Sequence, residues 1–487
     1  MQLGFPLWVR LTNFFNFLFI TLLIRSGVEI IGSHPKLYWH DDALPGSEWL
    51  RLTKKKMPKN QLWTAEDEIT PMSPVVALPG QNNLGLGRHW HFWGVSGWVL
   101  TGLIYIVLLF GTPQWRRLVP ASWDILPATW QATVAYAHFR PPDGNPFNGT
   151  QQLTYFFVIL ILSPLQIVTG IMMSPALAAR FPWFPGIFGG RQAARSLHFI
   201  GLILFVGFIV IHISMVVAHG FALEMAKIVL GGESHSHAIA VTIGLIGIAG
   251  VIAFHFLGTW YSLAFPFRAK RLLELGVDPL RRFLFHHLDS RQNYQHVSAY
   301  ARVNGRPPRN ETYERLAAAN FKDWRLELSG MAAKKLSLSL DDLRQMPRQT
   351  QTTLHICIQG WSYFAQWTGV PLSAIMDKCD LLPNARFLVF HTLDEKWERP
   401  GHGYYYEVID LEIARLSQTI LAYEMNGRPL PVPYGAPLRL RVGNQLGYKM
   451  AKWINRIEFV EGFEHIGRGQ GGWRDDVLHY YPSDAGI

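Results

Sequence analysis

Five stretches of the chain are apolar almost without interruption, near 7–31, 89–110, 152–173, 196–218 and 239–264. Each is long enough to cross a bilayer, which takes about 20 residues of helix. A polar loop of mixed charge containing Lys54, Lys55 and Lys56 separates the first two, and a Pro/Trp-rich loop whose "RPPDGNPFNG" reads as turns separates the next two. After 265 the pattern changes. The stretch "FRAKRLLELGVDPLRRFLFHHLDSRQNY" is basic and amphipathic, as a helical connector on a membrane surface would be. From about 300, short apolar runs ("WRLELSG", "RFLVFHTL", "LRLRV", "RIEFVEGF") alternate with Gly, Pro and Asn turns. The pattern predicts an all-α five-helix transmembrane bundle over 1–265, an amphipathic connector over 266–299, a strand-rich α+β domain over 300–465 and a C-terminal tail over 466–487. Five crossings put the chain ends on opposite faces, so the starts of helices two and four share a face with the C-terminal domain.

Composition agrees with the pattern. Only 16% of the 487 residues are charged and 18 are tryptophan, whereas a soluble chain carries nearer a quarter charged residues. The formal net charge of +10 is scattered and has no interleaved basic–aromatic run. Anionic lipid headgroups are therefore the expected contact and nucleic acid is not. Two cysteines, Cys357 and Cys379, without a CxxC or CxxCH, exclude a disulfide scaffold, a cysteine-bound iron–sulfur cluster and covalently attached haem. The first apolar run lacks an A-x-A-like cleavage site and reads as a retained helix.

The fourth run, "RSLHFIGLILFVGFIVIHISMVVAHG", carries His198 and His212 fourteen residues apart. That is nearly four helical turns, so both project from one face about 21 Å apart along the axis. Ionisable side chains in a membrane helix are costly and usually functional, and neutral imidazole is an axial ligand for haem iron. The bland alternative is a hydrogen bond from each to a neighbouring helix. The second run opens "GRHWHFWG"; His89 and His91 lie roughly 200° apart around a helix, so only one of them faces the bundle centre. His91 follows Arg88 by three residues as His198 follows Arg195, and an arginine one turn away is placed to pair with a haem propionate. These features assign His91 to the centre and His89 to the interface. His235 and His237 read as loop residues and His255 as a packed, hydrogen-bonded one.

On these residues the membrane half resembles the cytochrome b subunits of respiratory formate dehydrogenases and nickel–iron hydrogenases. The resemblance implies one haem b held by His91 and His198. A second haem would join His212 to a histidine three residues after an arginine in helix one, but Asn13 stands there after Arg10. The second haem is therefore in doubt, with His219 and His138 as substitute ligands.

The remaining chemistry centres on "HICIQGWSYFAQWTGVPLSAIM". Cys357 on its own is most simply a small apolar residue, and His355 two positions before it would point the same way on a strand. The longer segment resembles the molybdopterin-binding domain of the sulfite oxidase family, most closely the methionine sulfoxide reductase catalytic subunits, whose Cys-x-x-x-Trp-Ser precedes Trp-x-Gly-x-Pro-Leu. The resemblance implies that the Cys357 thiolate ligates molybdenum, a soft ligand suited to a dithiolene-bound metal. It further implies cofactor contacts from His355, from Thr392 in "FHTLDE", and from Arg439, Met450, Ala451 and Lys452 in "YGAPLRLRVGNQLGYKMAKWI", with Asn304 opening the pocket. Arginine and lysine suit the pterin phosphate. Tyr434 and Gln359 depart from the family pattern, and no strongly basic substrate pocket is evident near Cys357.

The expected protein is a molybdenum oxidoreductase of a bacterial inner membrane. It transfers an oxygen atom to or from a small oxyanion or a sulfoxide-type substrate, and exchanges electrons through haem b with quinone or a redox partner protein. The alternative is a non-catalytic membrane protein with a degenerate sulfite-oxidase fold. Signals for sidedness oppose one another: the cytochrome resemblance puts the C-terminal domain outside, whereas Arg268, Lys270, Arg271, Arg281 and Arg282 after helix five favour inside.

Overall fold

A computed structural model describes residues 4–58, 62–138, 140, 142, 147–285, 288–396, 403–481 and 485–486. Half of the turn segment "RPPDGNPFNG" (141 and 143–146) lies outside the described residues.

Among the described residues five helices are long and apolar enough to cross a membrane: α1 (Leu7–Ser33), α2 (Leu84–Gly111), α3 (Gly149–Met172, with a π-helical turn at Val158–Leu162), α4 (Arg191–Ala218) and α5 (His237–Ala264). Helices α2 and α4 each begin five residues before the apolar run proper, because their first turns are buried against the rest of the protein instead of facing water. Packing pairs α1 with α2 and α3 with α4. Several polar side chains of the bundle find partners locally, as a medium without water favours. Arg25 donates to the carbonyls of Pro74 and Ala77, and His255 bonds Thr21 and Arg25. A sixth helix, α6 (Pro266–Phe285), is amphipathic. It buries Ala269, Leu273 and Val277 along α2 and leaves Leu272, Leu275 and Phe283 exposed.

Among the described residues the following domain contains two sheets. In the first, β3 (Gln349–Ile356), β4 (Ser362–Pro371) and β7 (Ile420–Met425) run antiparallel, extended by β8 (Arg428–Pro429) and β9 (Arg439–Arg441) on β7. In the second, β10 (Ile454–Val460) lies between β1 (Leu326–Gly330), to which it is parallel, and β5 (Phe387–Glu395), to which it is antiparallel. Strands β2 (Leu336–Leu338) and β6 (Tyr404–Asp410) form its edges. Strand β5 is buried on both faces: Leu388 and Phe390 enter the main core with Leu421, Leu440 and Ile457, while Val389 packs on Val408 and Val460 behind. An α+β, strand-rich domain behind a helical membrane bundle is the fold class that the pattern predicts.

The two halves are not tethered beads. One continuous apolar cluster joins Tyr38, Ala65, Leu84 and Ala178 of the membrane half to Ile356, Cys357, Trp361 and Tyr481 of the other. The C-terminal tail is part of the joint. Its short helix α7 (Trp473–Leu478) is followed by Tyr480 and Tyr481, both buried. The Leu478 and His479 carbonyls cross Gly85 of α2 so closely that a Cβ there would lie 2.2 Å from oxygen.

Candidate functional site: a haem-spaced histidine pair joined to a cysteine cavity

His91 and His198 face each other between α2 and α4, with ring centroids 6.3 Å apart and planes at 64°. Two imidazoles sharing one iron, with metal–nitrogen bonds of about 2 Å and ring centres about 1.1 Å behind each nitrogen, would have centroids about 6.2 Å apart. Their tautomers follow from the hydroxyls behind them. Thr169 Oγ1 donates to the Leu165 carbonyl (2.7 Å), so across the 3.1 Å contact it is His198 Nδ1 that donates to Thr169. Ser26 Oγ likewise donates to the Leu22 carbonyl (2.8 Å) and accepts from His91 Nδ1 at 3.0 Å. Both Nε2 lone pairs are then free for a metal, with orientation fixed by the second hydrogen bond. The residues present fit a bis-histidine haem.

Of the flanking arginines, Arg88 lies over the rings of Phe92 (5.3 Å) and Tyr481 (5.9 Å). Arg195 gives its terminal nitrogens to the carbonyls of Lys36 and His34, both at 2.7 Å. His212 is held elsewhere: Nδ1 lies 3.3 Å from the Tyr155 hydroxyl and the ring stacks on Phe208. Asn13 is exposed, and Trp98, bonded to Asn16, packs on Phe205 between the helices. His138 and His219 each bond the carbonyl four residues back. His89 is buried rather than interfacial, because its ring stacks on Tyr481 (4.4 Å) and bonds Glu274 (3.1 Å).

Cys357 follows β3 in a tight turn closed by its own amide to the Trp361 carbonyl and by the Gly360 amide to the Cys357 carbonyl, each 3.0 Å. The turn needs Gly360, whose φ of +112° is left-handed and whose Cβ would strike Arg195 Nε at 2.9 Å. The thiol is 1% exposed; burial pushes it up to about 11, with Arg474, Arg191 and Arg302 pulling the other way. A metal ligated by the sulfur would reverse that balance and bind the thiolate. His355 is not a base for Cys357: its Nδ1 is bonded to Arg441 (2.7 Å), and burial together with that guanidinium holds it well below its ordinary value.

Two residues before the cysteine, His355 opens on a cavity of about 40 Å³, whose wall among the described residues does not include Cys357 itself. Asn304, His355, Arg439, Met450 and Lys452 line it. Thr392 and Ala451 sit behind the wall, Thr392 donating to the Tyr405 carbonyl at 2.6 Å. Among the described residues Lys452 bonds the backbone carbonyls of Asn304 and Pro433, while Arg439 bonds the Tyr434 carbonyl and the Tyr363 hydroxyl, and neither is within ion-pair distance of a carboxylate. Arg439 also leaves its buried Nε unpartnered. Two buried cations without a carboxylate are what an anionic group such as the pterin phosphate requires, and the donor set fits it. The sequence reading missed the rest of the wall. Arg302, Lys396 and Arg474 also line the cavity, and two of these come from segments flanking the recognisable motifs.

The cysteine turn and the helix that carries His198 meet at the first turn of α4. Arg191 Nη1 and Gln192 Nε2 both donate to the Gly360 carbonyl, at 2.9 and 2.8 Å, and Gln192 also reaches the Ser362 hydroxyl at 2.9 Å. His198 lies seven residues further along the same helix, about 10 Å of rise.

With this geometry in view, the class of each half is defined by family likeness. Residues 4–231 match the prokaryotic cytochrome b561 family and residues 313–465 the oxidoreductase molybdopterin binding domain, so the chain joins a haem b cytochrome to a molybdopterin oxidoreductase domain. Among individual relatives, the putative protein-methionine-sulfoxide reductase subunit YedZ1 of Azospira oryzae is 32% identical over 34% of this chain and 56% of its own length. The protein-methionine-sulfoxide reductase catalytic subunit MsrP of Xanthomonas campestris is 36% identical over 28% of this chain and 45% of its own. The chain thus spans about half the length of the curated relatives it matches. The sulfane dehydrogenase SoxCD of Paracoccus pantotrophus aligns at 23% identity and a TM-score of 0.25, over 29% of this chain and 40% of that one.

Proposed function

We propose that the protein is a multi-pass inner-membrane oxidoreductase that reduces a sulfoxide-type substrate with electrons drawn from the quinone pool. In that reaction the sulfur–oxygen bond breaks and the oxygen leaves as water. Two protons and two electrons are consumed, and one quinol becomes quinone. Molybdopterin, held by Cys357 with Arg439 and Lys452 on its phosphate, would supply a two-electron centre for oxygen-atom transfer, and haem b on His91 and His198 would supply one-electron steps between it and the quinol.

The chain's own residues contribute order and exclusion. Ser26 and Thr169 fix the two imidazoles as Nε2 acceptors. The buried cluster around Trp361, Tyr363 and Tyr481 keeps water from the joint. The observation that carries the reading is the Gly360 carbonyl clasped by Arg191 and Gln192, because it binds the cysteine turn directly to the haem helix.

The test uses two variants of the full chain. Cys357→Ser is expected to lose molybdenum and turnover while keeping the haem spectrum. His198→Ala is expected to lose haem and quinol-driven turnover while a reduced viologen still drives sulfoxide reduction. Full turnover in the cysteine variant would refute the proposal.

A further inference from the structure

Among the described residues five cations line the cavity, and they divide into two sets. Arg439 and Lys452 lack a carboxylate partner among the described residues, as described above. The other three are paired. Lys396 Nζ lies 2.9 Å from Asp394, Arg474 Nη2 lies 2.7 Å from Glu66, and Arg302 Nη1 bonds Glu68. Both glutamates belong to one short 3₁₀ turn, Ala65–Glu68, in the loop between α1 and α2. The turn is built in firmly. Thr64 and Asp67 close a capping box around it, its first amide donates to the Val303 carbonyl, and the Ala65 carbonyl accepts from Gln359 Nε2. Gln359 Oε1 in turn lies 3.7 Å from the Cys357 sulfur. A loop of the cytochrome half therefore covers the cysteine turn and brings two carboxylates to it.

The charges are real ones. The Arg474 guanidinium holds Glu66 below the usual carboxylate range despite its partial burial, and His34 and Arg302 hold Glu68 well below it. An oxyanion entering this cavity would have to displace an ion pair already made, and leaving one partner of a buried pair unmatched is costly. A neutral S=O group needs only hydrogen-bond donors and leaves both pairs intact.

We propose that Glu66 and Glu68 are specificity-determining residues, supplied by the cytochrome half, that occupy Arg474 and Arg302 and so select a neutral sulfoxide over an oxyanion. This rests on the oxidoreductase reading above and names which of its two substrate classes the site accepts.

The experiment measures inhibition of dimethyl sulfoxide reduction by inorganic sulfate. Glu66 is the better probe, because 39% of its side chain is exposed against 1% for Glu68. In the native protein, sulfate is expected to inhibit only in the ionic-strength range, and dimethyl sulfoxide to be reduced. In Glu66→Gln, Arg474 is released and the sulfate inhibition constant is expected to fall at least tenfold, with the KM for dimethyl sulfoxide changing less than threefold. The double variant Glu66→Gln/Arg474→Gln should return sulfate inhibition to the native level, which a general loosening of the loop would not do. The same contrast is read without turnover, as a sulfate-dependent rise in Tm confined to Glu66→Gln. Native protein inhibited by sulfate as strongly as the variant, or a variant with unchanged inhibition, would overturn the inference. Protein lacking molybdenum and haem after cofactor supply would instead remove the oxidoreductase reading itself.

Discussion

Replacing Thr169 with valine tests the histidine pair without touching it. Valine matches threonine in shape but removes the oxygen that accepts from His198 Nδ1 at 3.1 Å. Thr169 is fully buried, so no water replaces the lost acceptor, and a buried unsatisfied N–H costs about 1–3 kcal/mol. Loss of such a supporting partner typically weakens a metal site by about 10–100-fold. The Nδ1–H···O bond also makes the ring a better donor, which favours the ferric state, so its loss should raise the haem midpoint potential. For a one-electron couple each tenfold difference between ferric and ferrous affinity is about 59 mV, and a rise of tens of millivolts is expected. The assay is a redox titration followed at the haem α band, together with the haem-to-protein ratio from a pyridine haemochrome spectrum. Unchanged haem content and a midpoint within about 10 mV of the native value, against the 59 mV that one tenfold affinity change would produce, would show that His198 is not an iron ligand held through Thr169.

Two further outcomes follow. Gln192→Leu removes the donor to the Gly360 carbonyl and the Ser362 hydroxyl, a loss of about 1–3 kcal/mol at a fully buried joint. Stopped-flow mixing of reduced protein with sulfoxide should show slower haem reoxidation with both cofactors retained, whereas an unchanged rate would mean that the α4 contact does not govern communication. The third outcome concerns acid. His34 is pushed down to about 3 and His479 to about 4, both chiefly by burial. Below the ordinary histidine value of 6.5 the unfolded chain takes up protons that the folded one refuses, so stability is full above 6.5 and falls with pH toward 3–4. At pH 5 each histidine removes about 2 kcal/mol. Thermal loss of the Soret band should therefore occur at a lower temperature at pH 5 than at pH 7.5, and equal Tm values would contradict the burial of these rings.

How much of this was legible in the sequence depends on range. The five spans showed as apolar runs, and His91 and His198 could be paired because helix geometry converts spacing into a shared face. Cys357, Arg439 and Lys452 sat inside segments whose order along the chain carries a family likeness. What could not be read was contributed by contacts between segments hundreds of residues apart. Ser26 and Thr169 look like ordinary helix hydroxyls. Glu66 and Glu68 sit in a loop of mixed charge with nothing to mark them, and Arg302 and Arg474 lie outside the recognisable motifs. The stretch after 466 has a tail's composition, yet its tyrosines are interior. His89 shows the same limit: interfacial by sequence position, it is covered by Tyr481, whose arrival no local pattern announces.

The apolar cluster shared by both halves has a practical corollary for anyone dissecting the molecule. Cutting between 265 and 300 would release two fragments that each present an unmatched greasy face. One would also keep Glu66 without Arg474, and Glu68 with Lys36 and His34 alone, while the other would keep Arg302 and Arg474 without these two carboxylates. Such fragments would be expected to adhere to membranes or precipitate, so the redox parts of this chain are best studied intact, one point substitution at a time.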